Sequence, residues 1–86
     1  MMPRTARELQ QLLEERNLYP WYAAANGSEP HEGWALIEEK DKWVVYQVAP
    51  LTARKERSFN TEHEAVAWLI SEMKNDAFAD YFRDLE

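Results

Sequence analysis

The chain contains no cysteine. That excludes a thiol nucleophile, a thiolate zinc site and any disulfide. A small domain without disulfides fits a reducing compartment, so the cytoplasm is the expected location. Glycine is nearly as scarce. Gly27 and Gly33 are the only two, too few for a glycine-rich phosphate loop. Two histidines, His31 and His63, cannot build a three-histidine zinc site. His31 lies near Glu29 and Glu32 in a loop-like stretch, which reads as solvated polar surface. No apolar run approaches a membrane span. The start, Met1-Met2-Pro3-Arg4, leads into polar residues without an apolar signal core. Bases are outnumbered as well, ten Lys and Arg against sixteen Asp and Glu, for a net charge of −6.

What is present describes a folded domain. The 86 residues are 45% hydrophobic and 13% aromatic, enough for one core and too few for two, so residues 1–86 read as a single domain. Thr5-Ala6-Arg7-Glu8 is a capping box, with Thr5 as N-cap. Ala6, Leu9, Leu12 and Leu13 follow on one helical stripe. Asn17 suits the left-handed residue after the helix, Leu18 the hydrophobic contact beyond it, and Pro20 bars continuation. Residues 19–33 read as a loop, marked by Asn26-Gly27-Ser28 and Pro30 and pinned by Trp21 and Tyr22.

Two apolar segments, Trp34 to Glu38 and Trp43 to Ala49, flank the charged turn Glu39-Lys40-Asp41-Lys42 and predict an antiparallel hairpin. In the second, Trp43, Val45, Gln47 and Ala49 point one way, and Val44, Tyr46 and Val48 the other. Both faces are apolar, so this strand is either central or keeps one face for a partner. Pro50 and Leu51-Thr52 close it, and residues 53–59 fit a charged third strand anchored by Phe59. Thr61-Glu62-His63-Glu64 is a second capping box. Ala65, Val66, Leu69, Ile70 and Met73 line the helix behind it, with Trp68 at the flank, as far as Asn75. Asp76 is the natural N-cap of a last short helix carrying Phe78, Tyr81, Phe82 and Leu85. The expected class is α+β: a helix, an antiparallel sheet of two or three strands, then one or two helices.

The acids cluster. Glu29, Glu32, Glu38, Glu39 and Asp41 share residues 27–41 with a single base, Lys40, and residues 61–86 hold seven acids against two bases. Negative surface repels phosphate and attracts basic partners. An α-β-β-β-α order also serves double-stranded-RNA binding, but that needs bases where the second capped helix carries acids. Nucleic acid and membrane are therefore not expected partners. Glu38 and Glu39 are adjacent in a strand and face opposite ways, so they form no acid/base pair. Ser28, Ser58 and Ser71 lack a nucleophile context. No catalytic, cofactor-binding or metal-ligating set is expected.

Three strings carry a resemblance: Gly33-Trp34-Ala35-Leu36-Ile37-Glu38-Glu39, Trp43-Val44-Val45-Tyr46, and Ser58-Phe59-Asn60-Thr61-Glu62-His63-Glu64-Ala65. Over about residues 9–73 the chain resembles small bacterial immunity proteins of polymorphic and contact-dependent toxin systems. The resemblance implies a non-enzymatic cytoplasmic antitoxin that binds and neutralises a cognate toxin domain. Many such toxins are basic nucleases, which an acidic partner suits. The alternative is a protein-interaction or homodimeric assembly module. The chain's own charge and aromatics nominate the partner-binding residues: Glu29, Glu32, Glu38, Glu39 and Asp41, with Trp34 or Tyr46 as an aromatic anchor.

Overall fold

A computed structural model describes residues 2–25, 29–48, 56–75 and 79–85. Helix α1 spans Ala6–Glu15. The Thr5 hydroxyl accepts the Glu8 N–H at 3.1 Å, while the Glu8 carboxylate reaches one residue past Thr5 to accept the Arg4 N–H at 2.8 Å. At the other end Asn17 takes φ 61°. The Leu18 N–H donates to Leu13 O at 2.8 Å and the Asn17 N–H to Glu14 O at 3.2 Å. This is the Schellman closure, and Leu18 is fully buried beside it.

Residues 19–33 are not simply a loop. The Tyr19–Pro20 bond is cis. The chain then runs alongside the start of the hairpin: the His31, Glu32 and Trp34 N–H groups donate to Pro20, Trp21 and Tyr22 carbonyls at 3.0, 3.1 and 3.0 Å. Ala23–Ala24 thereby forms a short strand, β1, parallel to β2, Gly33–Glu39. Two alanines give no strand signal by pattern, so neighbouring backbone, not propensity, makes this element. Gly33 is required here. Its φ is +98°, and a Cβ would meet the Tyr22 carbonyl oxygen at 1.8 Å.

Strand β3, Lys42–Val48, pairs antiparallel with β2 in the register Glu39↔Lys42 through Gly33↔Val48. Strand β4, Glu56–Phe59, pairs antiparallel with β3. The sheet is thus four-stranded and mixed, in the order β1-β2-β3-β4, rather than antiparallel with two or three strands. The expected third strand is present as β4. Ala49, Pro50, the 51–52 turn and residues 53–55 lie outside the described residues, as do Asn26-Gly27-Ser28, Asp76 and Phe78.

Helix α2, Glu62–Met73, starts at Thr61, whose hydroxyl accepts the Glu64 N–H at 3.2 Å. Ala65, Val66, Leu69, Ile70 and Met73 are all buried, as their spacing requires. The register puts Trp34, Leu36, Trp43, Val45 and Phe59 on the sheet face that α2 covers. Trp68 packs edge-on against Trp34, with centroids 5.9 Å apart, and tilted against Phe59 at 5.8 Å. The Arg57 guanidinium lies 5.4 Å from the Phe59 ring centre and 5.8 Å from that of Trp68, closing the cluster at its rim.

A 3₁₀ turn, Ala79–Phe82, returns the chain to the core, where Phe82 and Leu85 are buried. The Lys74 ammonium holds the Leu85 carbonyl, and Arg16 holds the Tyr81 carbonyl. Arg16 also grips both Asp84 carboxylate oxygens, at 2.9 and 2.8 Å. Among the described residues no helix is long and apolar enough to cross a membrane.

Two outcomes are expected. Trp34→Ala removes the ring on which Trp68 rests and should cost about 3–5 kcal/mol, much of the roughly 5–15 kcal/mol of a typical domain; chemical denaturation measures it. The Arg16 hydrogen bonds hold the Asp84 carboxyl at about 2 against its usual 3.8. A carboxyl depressed on folding stabilises fully above its unfolded value and loses that contribution as pH falls through the folded one. Asp84→Asn should therefore melt below the parent at neutral pH, with the gap closing between pH 4 and 2, read by thermal melts across pH.

Candidate functional site

Helix α1 buries Ala6, Leu9 and Leu13, but also Gln10, which is 6% exposed. A buried amide needs partners. The Gln10 Oε1 accepts the Ala25 N–H at 2.9 Å, and its Nε2 donates to Glu14 Oε2 at 2.9 Å. This amide ties α1 to the residue that follows β1. At the start of α1 the Ala6 N–H donates to Glu62 Oε2 at 2.7 Å, tying it to the first turn of α2. Glu62 was recognisable from sequence as a helix-start acid favoured by the dipole; the structure makes it a bridge between two helix starts.

Held at these points, α1 packs on β1 and α2 rather than on β2. Between α1 and the outer edge of β2 lies an open groove of about 770 Å³. Ala25, Leu36 and Trp43 supply its apolar surface, and Arg7, Gln10, Gln11, Glu14, Glu38 and Glu62 its polar rim. Three carboxylates thus face one guanidinium. None of the three is paired with a cation among the described residues. The groove has an apolar floor, a negative rim and one strand edge for a wall. Negative potential at such a rim favours cationic groups over anionic ones.

The nominated residues are distributed differently from a single patch. Glu29 and Glu32 are exposed beside the start of β2, and Glu38, Glu39 and Asp41 are exposed at its far end and in the turn. At about 3.3 Å per residue the two groups stand roughly 20 Å apart. Glu38 and Glu39 point to opposite faces, as alternation requires, so only Glu38 joins the groove. Trp34 is not a surface anchor. It is 3% exposed and belongs to the core, because its register places it beneath Trp68. Tyr46 is half-buried on the other sheet face, where its hydroxyl donates to Glu29 Oε2 at 3.1 Å. Among the described residues, the large aromatics that do reach the surface are Trp21 and Tyr81, 41% and 45% exposed.

Sequence patterning missed Glu14 and Gln10. The 3.6 period assigned the stripe to Leu12, which is half-buried, where the helix turns Gln10 inward. Glutamine at a core position was the available signal. His31, Glu29 and Glu32 do not converge, and no group of side chains suited to a metal ion occurs among the described residues. Comparison with known proteins finds no matching family model, curated protein or solved structure.

Gln10→Leu keeps the volume but leaves the buried Ala25 N–H without an acceptor. The expected loss is about 1–3 kcal/mol, and Tm should fall roughly 4–8 °C per kcal/mol. Differential scanning calorimetry of the two proteins checks it.

Proposed function

We propose that this chain is a non-enzymatic antitoxin of the immunity-protein type, which neutralises a basic bacterial toxin domain by covering part of its surface in the cytoplasm. The observation that carries this reading is the groove between α1 and the edge of β2, where, among the described residues, Glu14, Glu38 and Glu62 face only Arg7. Uncompensated carboxylates around an apolar floor supply both parts of tight recognition. Charge steers the encounter, and desolvated apolar contact slows release. The exposed Glu29, Glu32, Glu39 and Asp41 extend the negative field over the rest of the hairpin and raise the approach rate of a cationic surface.

A second reading is favoured by the opposite sheet face. Ala35, Ile37, Val44, Tyr46 and Val48 share it by register, and α1 and α2 both pack on the other side. Ile37, Tyr46 and Val48 are only half-buried there. A homodimer through this face would make the chain an assembly module. Sedimentation across a concentration series separates the two: the antitoxin reading expects a monomer at micromolar concentration.

The direct test is rescue. The C-terminal domain of a large protein encoded beside this chain is expressed with and without it. Growth arrest that this chain alone relieves supports the antitoxin reading, and absence of toxicity or failure of rescue by well-expressed protein overturns it. In the purified pair, Glu14→Lys with Glu38→Lys should slow association at least about tenfold at low salt, measured by stopped flow, whereas Glu29→Lys with Glu32→Lys should slow it less.

A further inference from the structure

The groove has a feature that its charge does not explain. Strand β2 is seven residues long, but β1 pairs only with Trp34 and Ala35. The Trp34 N–H points away from β3, to the Tyr22 carbonyl. In an antiparallel pair successive residues alternate in direction, so Leu36 and Glu38 turn their backbone groups the same way. Strand β1 ends at Ala24, and no described strand continues the row. The N–H and carbonyl of Glu38, an exposed residue, therefore face outward at this edge, whereas Leu36 is fully buried. The far edge of the sheet differs: β4 has four residues, with Glu56, Arg57 and Ser58 exposed along it. Short, charged edges are guarded against pairing. The open part of the β2 edge, past Ala35, begins beside an existing strand and has α1 standing off it by the width of the groove.

We propose that this edge accepts an extended segment of the partner protein as an added strand, continuing the row that β1 begins, with Lys or Arg at alternate positions. This rests on the antitoxin reading for its partner and goes beyond it in the mode of recognition. Main-chain hydrogen bonds to the N–H and carbonyl of Glu38 fix the segment, and side-chain alternation then fixes which residues face inward. The inward ones lie between the sheet and α1, where Glu14, Glu38 and Glu62 outnumber Arg7. An acidic segment would be repelled there, and a helix would leave the outward backbone groups of β2 without partners. The occupant is thus a basic, extended stretch.

The test titrates isotopically labelled full chain with a capped peptide of alternating Lys and Val, and with its Glu-for-Lys counterpart as control. The expected result is NMR shift changes confined to residues 35–38, Ala25 and the groove face of α1, with at least about tenfold slower hydrogen exchange at the Glu38 amide under saturation. Glu38→Pro removes the outward N–H and leaves the β3 pairing intact, as proline on an edge allows. It should weaken the basic peptide at least about tenfold while retaining the parent's dispersed spectrum. If that variant does not fold, Glu14→Lys with Glu38→Lys serves instead and should reverse the preference toward the acidic peptide. No shifts at millimolar peptide, shifts centred on β4 or the hairpin turn, or unchanged binding by these variants would overturn strand addition. Rescue in cells keeps the two ideas apart. Toxicity relieved by Glu38→Pro as well as by the parent refutes the added strand and leaves the antitoxin standing; edge binding of the basic peptide without any rescue does the reverse.

Discussion

Trp68 decides which side of the sheet is inside. Its ring sits on Trp34 from β2 and Phe59 from β4, so one residue of α2 clamps a strand pair on either side of β3. With that face taken, register sends Ile37, Tyr46 and Val48 to the other, where neither α1 nor α2 packs. The clamp also sets where α1 can go. Helix α2 occupies the middle of the covered face, leaving α1 to its side against β1, and the gap between α1 and β2 follows from that crowding. The groove and the half-covered second face both follow from that arrangement.

Electrostatics then gives the gap its character. A short helix needs acids in its first turn and tolerates them along its solvent face. Glu62 satisfies the first demand and Glu14 the second, while Glu38 is merely the outward end of a strand. Each has a local reason to be where it is, yet packing brings all three to the rim of one apolar floor. Three of the basic residues are used elsewhere. Arg16 is committed to Asp84 and the Tyr81 carbonyl, Arg57 to two aromatic rings, and Lys74 to the Leu85 carbonyl. The imbalance at the groove comes from where the cations are employed as well as from how many there are.

Much of the fold was legible because it rests on local chemistry. Thr5 and Thr61 start their helices, Asn17 and Leu18 end the first as a Schellman pair should, and the alternation in Trp43 to Val48 fixes the faces of β3. What patterning could not show depends on distant neighbours. Ala23 and Ala24 become a strand only because residues 31–35 lie alongside them. Gln10 is buried only because Ala25 needs an acceptor. The nominated site suffered for the same reason. Nearness in sequence grouped Glu29 and Glu32 with Glu38, Glu39 and Asp41, but an extended strand separates its ends by its own length. Trp34 looked available because a large aromatic suits a core and an interface equally, and only its partner Trp68 decides between them.

The connection that follows β1 touches both sides of the sheet. At Ala25 it is held by Gln10, whose helix forms the outer wall of the groove, and at Glu29 it receives the Tyr46 hydroxyl on the opposite face. Glu29 thus serves the face that the helices leave open while Ala25 serves the groove, so the two ends of one connection bear on opposite faces of the sheet.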